Sequence, residues 1–188
     1  EMRLVTGVQT CALPISNMLN VPGNSLCIAA TALVGKHMGR GESREAGSAL
    51  SYITKLSTFA LIAIALIFIP FAGKVTSLFT TNKEIIHLAS TVLIVNSACI
   101  PLWSISFVLP AGLKGAGDVK YTLITSIIGM WLFRITLGYL LGVVLNFGLI
   151  GVWIGMFVDW IVRGSLYCIR FKKGKWKGKT LIKMTTNS

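Results

Sequence analysis

Three charged residues, Arg134, Asp159 and Arg163, lie inside long apolar stretches of this sequence. Asp159 and Arg134 are the mid-span charges and the main candidates for chemistry there. Asp159 is the only carboxylate within such a stretch, and Arg134 lies in the stretch before it. If the stretches cross a bilayer, a charge at the centre costs about 2.5–3.5 kcal/mol on insertion scales and is normally paired or faces water. Asp159 is therefore the candidate for binding a proton, a cation or a substrate.

Arg134 is the candidate partner of Asp159 because the two residues flank the same turn. Arg134 lies 12 residues before Asn146, and Asp159 lies 13 residues after it. At 1.5 Å per residue, both lie roughly 18–20 Å from the turn on neighbouring antiparallel helices. The matched depth predicts an ion pair that joins the two helices. A role in coupling or substrate contact, or a place at the membrane surface, is the alternative for each residue.

A second group of candidates comes from the apolar stretch Leu88–Leu113, which has no acidic residue. Asn96, Ser97 and Ser106 are its polar candidates for lining a cavity. Hydrogen bonds between helices, worth about 0.6 kcal/mol each on average, are the alternative role. Trp103 has a face on which an aromatic cation can stack, and packing in the core or against lipid is its alternative.

The composition indicates that these residues are held by membrane helices. The chain has 188 residues, of which 54% are hydrophobic and 13% are charged, whereas soluble domains carry about 25% charged residues. Spanning a bilayer takes roughly 20 apolar residues, and runs rich in Leu, Ile, Val and Ala favour helices over barrel strands. We therefore predict an all-α integral membrane fold over residues 16–170. Its five transmembrane helices are Ser16–Gly35, Leu56–Gly73, Leu88–Leu113, Tyr121–Val144 and Leu149–Arg170.

The net charge of +12 is concentrated in three segments. They are the connection after the first span, the connection after the third span and the tail 171–188. Because basic residues near helix ends are retained in the cytoplasm, all three are predicted on the cytoplasmic face, with a cytoplasmic C-terminus. A basic tail also raises nucleic acid as a partner, but Trp176 is its only tryptophan, which is weak support for base stacking. We expect no nucleic-acid binding, and contact of the tail with anionic membrane lipid.

No pattern of an enzyme or a metal site is present in the sequence. The cysteines form no paired motif, and His37 and His87 fall at opposite ends of predicted spans. Sequence signatures of metalloproteases, serine hydrolases and phosphate-binding loops are missing. We predict a protein that is not an enzyme and has no catalytic residue, metal or organic cofactor.

Two glycine-rich connections between predicted helices share the same sequence features. Each has glycines that permit a tight turn and close backbone approach. Each also has a carboxylate near the start of the next helix, where the helix dipole favours a negative charge. The first contains Gly35, Gly39, Gly41 and Glu42, and the second contains Gly115, Gly117 and Asp118.

Taken with the spans, these two connections resemble those of the MATE family, the multidrug and toxic compound extrusion transporters. Residues 33–46 are similar to its pattern LVGxxxGxGxxxEA, and residues 113–118 to its pattern LxGAGD. Residues 131–134 and 151–153 also resemble the family, so that the likeness runs from Asn17 to about Lys179. Family members have twelve helices in two six-helix lobes. The resemblance implies that the chain is a partial C-terminal lobe, helices eight to twelve, without helix seven and the N-terminal lobe.

The resemblance implies an antiporter of the cytoplasmic membrane. It would export small, often cationic organic compounds in exchange for Na⁺ or H⁺, by rocking of the two lobes around a central site. Its partners would be lipid, substrate and the missing N-terminal lobe. Asp159, Arg134, Asn96, Ser97, Trp103 and Ser106 are then the candidates for the transport pathway or for coupling. Some family members have an acidic residue in the helix that corresponds to Leu88–Leu113, and its lack here leaves the coupling ion open.

Two other functions are compatible with the sequence. A lipid or oligosaccharide flippase of a related fold would be expected to have a more basic central cavity. A membrane scaffold without transport activity would need no polar residues in a cavity.

Residues 1–15 are predicted to be foreign to the protein. Their string VTGVQTCALPI resembles one reading frame of a sequencing adaptor fused to the coding sequence. A genuine, weakly apolar N-terminus is the alternative. The predicted organisation is therefore a foreign segment 1–15, a membrane lobe 16–170 and a basic tail 171–188.

Overall fold

The computed structural model describes residues 2–78 and 80–178, most of them helical. A 3-10 turn, Ile69–Phe71, follows the second helix, and π-helical turns follow the fifth. The predicted tail residues beyond Gly178, including Lys179 and Lys183, lie outside the described residues. The α-helices of the described residues are α1 (Met2–Gly39), α2 (Ser43–Phe68), α3 (Ala72–Ser77), α4 (Lys83–Gly115), α5 (Val119–Ile128) and α6 (Gly148–Lys172).

Five stretches of the described chain are long and apolar enough to cross a membrane, which confirms the predicted all-helical membrane fold. Helices suit this environment because their backbone groups bond within the segment and need no water. Each stretch overlaps one predicted span. The five are Ile15–Gly39, Ser43–Ser77, Lys83–Gly115, Val119–Val144 and Ile150–Lys172.

Prolines act differently in the second and third spans. Pro70 lies where α2 gives way to the 3-10 turn, because a proline has no N–H to continue the α-helical bonds. Pro101 and Pro110 lie inside α4, which continues through both. Membrane helices tolerate this because neighbouring groups bond the carbonyls that proline leaves free.

The central helix of the bundle is α4, which packs against α1, α2 and α6. Of its most apolar stretch 56% is buried, compared with 11% for the span Val119–Val144. Two glycines near its end bring the neighbours close. A Cβ at Gly112 would overlap the side chain of Leu50 on α2, and one at Gly115 would overlap the backbone of Thr31 on α1.

The fourth span does not remain a regular α-helix along its whole length. After Ile128 it continues as π-helical turns over Gly129–Leu137 and Leu140–Val144. The N–H of Leu145, for example, donates to the carbonyl of Leu140, the five-residue bond that defines a π-turn. The predicted extent of the span is confirmed, whereas this change of helix type was not predicted.

Two pairs of glycines join this π-helical segment to α6. Gly138 lies between the two π-helical stretches of the fourth span, Gly142 lies in the second of them, and Gly151 and Gly155 lie on α6, each pair four residues apart. A Cβ at Gly151 would lie 2.6–2.7 Å from backbone atoms of Leu141 and Gly142, and one at Gly155 would lie 2.9 Å from the Gly138 nitrogen. Small residues at this spacing let membrane helices approach to backbone contact.

The three basic segments meet at one end of the bundle, which we call the basic end. They are the connection with its flanking residues from Lys36 to Arg44, the connection with its flanking residues from Lys114 to Lys120, and the turn 173–178. An ion pair between Asp118 and Arg170 joins the second connection to the end of α6. The ring of Trp176, from the turn, lies against Gly47 near the start of α2. The segments predicted to share a membrane face therefore do lie together.

Replacing Gly151 with alanine should destabilise the chain, because the added Cβ has no room beside Leu141 and Gly142. We expect the free energy of unfolding to fall by about 1–3 kcal/mol, the usual cost of overpacking. Gly73→Ala is the matched control, since a Cβ there meets no atom of the described chain within 4 Å. Unfolding of the detergent-solubilised variants, followed by circular dichroism, measures both. Equal stability of the two variants would contradict the backbone contact.

Candidate functional site

The predicted site residue Asp159 forms a buried ion pair with Arg163, and we call these two residues the charge pair. Both lie on α6, with 0% and 7% of their surface exposed. Arg163 Nη2 lies 2.6 Å from Asp159 Oδ2. Residues four apart on a helix lie one turn apart on the same face, and this spacing makes the contact possible.

The predicted ion pair between Asp159 and Arg134 is therefore wrong. Arg134 lies in the π-helical segment, and its side chain is exposed. Matched depth says how far a residue lies from a turn but nothing about its direction around the helix axis. The π-turns also shift that direction away from the one that a regular 3.6-residue period gives.

The charge pair is closely enclosed but not fully hydrogen-bonded. A Cβ at Gly129, where the π-helical segment begins, would lie 2.5 Å from both Asp159 Oδ1 and Arg163 Cδ. Asp159 Oδ1 and Arg163 Nε are buried without a hydrogen-bond partner in the described chain. The carboxylate can still accept, and the guanidinium can still donate, one more bond. Because unsatisfied buried charges are costly, these two atoms mark the pair as a candidate functional group.

An aromatic stack joins the charge pair to α4. The Arg163 guanidinium lies 5.2 Å from the centroid of the Phe107 ring, within cation–π range. Phe107 stacks in turn on Trp103, with centroids 4.8 Å apart. A Cβ at Gly23 of α1 would overlap the ring of Trp103. The structure thus places Trp103 in core packing and links it to Asp159 through Phe107 and Arg163.

Ser106 also lies beside the charge pair. Its hydroxyl donates to the carbonyl oxygen of Trp160 on α6, and a Cβ at Gly164 would lie 3.1 Å from that hydroxyl oxygen. Ser106 therefore makes a hydrogen bond between helices, one of the two roles that its sequence position allowed.

Asn96 and Ser97 lie away from the charge pair. They are about ten residues, or roughly 15 Å, from Ser106 along α4. The buried amide of Asn96 donates to the hydroxyl of Ser16 on α1 at 3.2 Å. The hydroxyl of Ser97 is buried with no partner in the described residues. The structure does not bring these two candidates together with Asp159.

A cavity of about 380 Å³ opens between α1, α4, α5 and α6, next to the charge pair. Its charged lining residues within the described chain are Arg163 and Lys114, both cations. Asn96, Ser97 and Ser106 were candidates for lining a polar cavity. Of these three residues, only Ser106 lines this one. The cavity is electropositive and suits an anionic or neutral polar group. The polar lining residues are Asn24, Thr31, Ser106, Lys114, Ser126 and Arg163.

The two glycine-rich connections have the predicted backbone geometry. Gly41 and Gly117 have φ of 77° and 89°, a left-handed conformation that glycine adopts without strain. A Cβ at Gly35 would lie 3.5 Å from the Gly115 carbonyl oxygen, so that α1 and α4 approach closely there. A Cβ at Gly39 meets no described atom within 4 Å, so a packing role for this glycine is not seen.

The carboxylates of the two connections lie at the starts of α2 and α5, as predicted. Glu42 Oε2 lies 2.9 Å from Nδ1 of His37. Asp118 is fully buried and accepts bonds from Nε and Nη2 of Arg170 at 2.7 and 3.2 Å. The Arg170 guanidinium lies 4.5 Å from the Tyr121 ring centroid. Asp118 thus ties the start of α5 to the end of α6.

Three functional contributors were missed at the sequence level. The four-residue spacing of Asp159 and Arg163 is a recognisable signal for a pair on one helix. Gly129 leaves space for the charge pair because the π-helical segment begins there, and the sequence has no comparable signal for that change of helix type. Arg170 was predicted only as the end of the last span, although a buried Asp118 needs a cationic partner.

The fold and the charge pair define the chain as a helical unit of a multi-pass membrane protein. A sequence model of the MatE family matches residues 5–140. The chain belongs to this family, as its two glycine-rich connections predicted.

Relatives and solved structures agree with this membership. A probable multidrug resistance protein NorM of Thermotoga maritima is 23% identical over 95% of this chain. An uncharacterized transporter, YisQ of Bacillus subtilis, is 29% identical over 82% of it. The fold is similar to the crystal structure of the eukaryotic MATE transporter AtDTX14, with a TM-score of 0.85 and 21% identity over 95% of the chain.

The chain spans only part of these proteins. It covers 40% of the Thermotoga protein, 34% of the Bacillus protein and 40% of the AtDTX14 chain. The family match begins at residue 5, inside the segment predicted to be foreign. The foreign origin of residues 1–15 stays a prediction.

Removing the guanidinium of Arg163 should destabilise the chain strongly, because it leaves the Asp159 charge buried and unpaired. For Arg163→Gln we expect a loss of about 3–5 kcal/mol in the free energy of unfolding. Arg134→Gln removes an exposed charge from the neighbouring span and should change it by about 0.5 kcal/mol or less. Parallel unfolding curves in one detergent give both values. A larger loss for Arg134→Gln than for Arg163→Gln would contradict the assigned pair.

Proposed function

We propose that this chain is the greater part of one lobe of a cation-coupled multidrug efflux antiporter. Its membership of the MatE family and its likeness to a probable multidrug resistance protein support this. The fold is also similar to inward-facing and outward-facing structures of a multidrug resistance MATE family transporter, with TM-scores of 0.76 and 0.80 at 24% and 23% identity. A helix arrangement similar to both states fits a lobe that moves as a rigid body during alternating access.

The observation that carries the proposal is the buried charge pair. Coupling needs a buried group whose charge changes when a cation binds, and Asp159 is a membrane carboxylate with one oxygen still unpaired. A proton or Na⁺ at Asp159 competes with Arg163 for the carboxylate. The released guanidinium then has the adjacent cavity to enter, because Arg163 lines it. Cation binding on α6 thereby changes the charge and shape of the cavity wall.

The proposed orientation places the basic end in the cytoplasm. The three basic segments lie together there, and basic residues near helix ends are retained on the cytoplasmic side. In this orientation the C-terminus is cytoplasmic and the protein lies in the cytoplasmic membrane. Its partners are the surrounding lipid, small organic substrates and the opposing lobe of the whole transporter.

The electropositive cavity favours a second candidate function. Arg163 and Lys114 would attract the phosphate of a lipid or lipid-linked oligosaccharide more readily than a cationic drug. A flippase of related fold is therefore the alternative. It predicts that Lys114→Gln abolishes activity, whereas an exporter of cationic compounds tolerates this change.

Replacing Asp159 with asparagine in the complete gene should abolish drug resistance. An amide has no negative charge for which a proton or Na⁺ could compete with Arg163. Drug susceptibility of a sensitive host measures this, with membrane abundance of each variant checked by immunoblot. Arg134→Gln is the matched control and should retain resistance.

Full resistance of Asp159→Asn at normal abundance would contradict the coupling role. The 188-residue chain alone in liposomes serves as the negative control, since it lacks an opposing lobe to close the pathway. Robust cation-driven movement of a drug by this chain would contradict its assignment as a partial lobe.

A further inference from the structure

A second cavity, at the basic end, is formed between the start of α2 and the end of α6. Its volume is about 540 Å³. Four cationic side chains line it: Arg44 and Lys55 from α2, and Lys172 and Lys177 from the other side. Its lining includes no carboxylate among the described residues. We call this cavity the basic mouth.

The basic mouth is held in shape by a fully buried tryptophan. The indole nitrogen of Trp176 donates to the carbonyl of Phe171 at 3.2 Å, and the two rings stack with centroids 5.7 Å apart. A Cβ at Gly47 on α2 would lie 3.4 Å from the Trp176 ring. The turn after α6 is thus packed onto α2, which places Lys172 and Lys177 beside the cavity.

An apolar groove continues from the basic mouth. It has a volume of about 450 Å³ and is lined mainly by apolar side chains of α2, α4 and α6, among them Phe59, Ile62 and Leu109. Lys55 and Lys172 line both cavities. One continuous surface therefore has cations at one end and hydrocarbon at the other.

The depth of this surface matches the layers of a bilayer. Leu56–Gly73 has no charged residue, and at 1.5 Å per residue it is about 27 Å long, close to the hydrocarbon thickness. Lys55 then lies at the hydrocarbon edge, the basic mouth lies at headgroup level, and Ile62 lies two turns deeper.

We propose that this surface binds one anionic phospholipid, with its headgroup in the basic mouth and one acyl chain along the apolar groove. Four cations without a carboxylate favour a headgroup with net negative charge over a zwitterionic one. The apolar groove favours a lipid over a free phosphate or a nucleic acid, which have nothing to place there. The site lies apart from the charge pair, and the inference does not depend on the transport proposal.

Native mass spectrometry of the detergent-solubilised chain tests the proposal. Phosphatidylglycerol should bind with 1:1 stoichiometry and more tightly than phosphatidylcholine of the same acyl chains. Lys55→Gln with Lys172→Gln should weaken phosphatidylglycerol binding by about 25-fold, at about fivefold per basic residue. The matched control, Arg40→Gln with Lys120→Gln, removes two exposed charges from the same end outside the groove and should leave binding unchanged.

Two further measurements separate the headgroup from the acyl chain. Ile62→Trp fills the apolar groove and should weaken binding without any change of charge. Inorganic phosphate at millimolar concentration should not displace the lipid. Equal binding of the two lipids, equal loss in both double variants, or displacement by phosphate would overturn the proposal. Circular dichroism of each variant is measured first, and Ile62→Trp provides the test of the groove if the lysine variant unfolds.

Discussion

The fold depends on how helices hold together where lipid replaces water. An apolar side chain gains little by leaving lipid for another helix, so association rests on close van der Waals fit and a few polar contacts. The glycines meet this need. Gly115 brings α4 against α1, and Gly151 and Gly155 bring α6 against the preceding span. Polar contacts follow from that proximity, because Ser106 reaches the backbone of α6.

The same close fit allows two opposite charges to lie inside the bundle. Asp159 and Arg163 neutralise each other one helical turn apart, and Gly129 leaves the space that they occupy. Phe107 covers the guanidinium from α4. The pair is enclosed by three helical segments, so a change in its charge would alter the electrostatic interactions of each segment. That is the physical basis for assigning the proposed coupling to this part of the lobe.

The sequence was sufficient to predict the features that depend on hydropathy, on the positions of basic residues and on glycines in turns. The five spans and the shared end of the basic segments were predicted correctly, and the two glycine-rich connections form tight turns as expected. The partner of Asp159 was not, because depth gives no direction around a helix and the π-helical course of the fourth span has no clear sequence signal. The burial of Trp176 was also missed. It depends on packing against α2, which neither composition nor charge of the tail reveals.

A double-mutant cycle tests the central claim, that Asp159 and Arg163 form the charge pair of the lobe. Unfolding free energies of Asp159→Asn, Arg163→Gln and their combination give the coupling energy directly. The structure predicts a coupling of about 2 kcal/mol or more for this pair, and a clearly smaller one for the same cycle with Arg134→Gln, because Arg134 makes no ion pair with Asp159. A coupling near zero between Asp159 and Arg163, or a larger one with Arg134, would contradict the account.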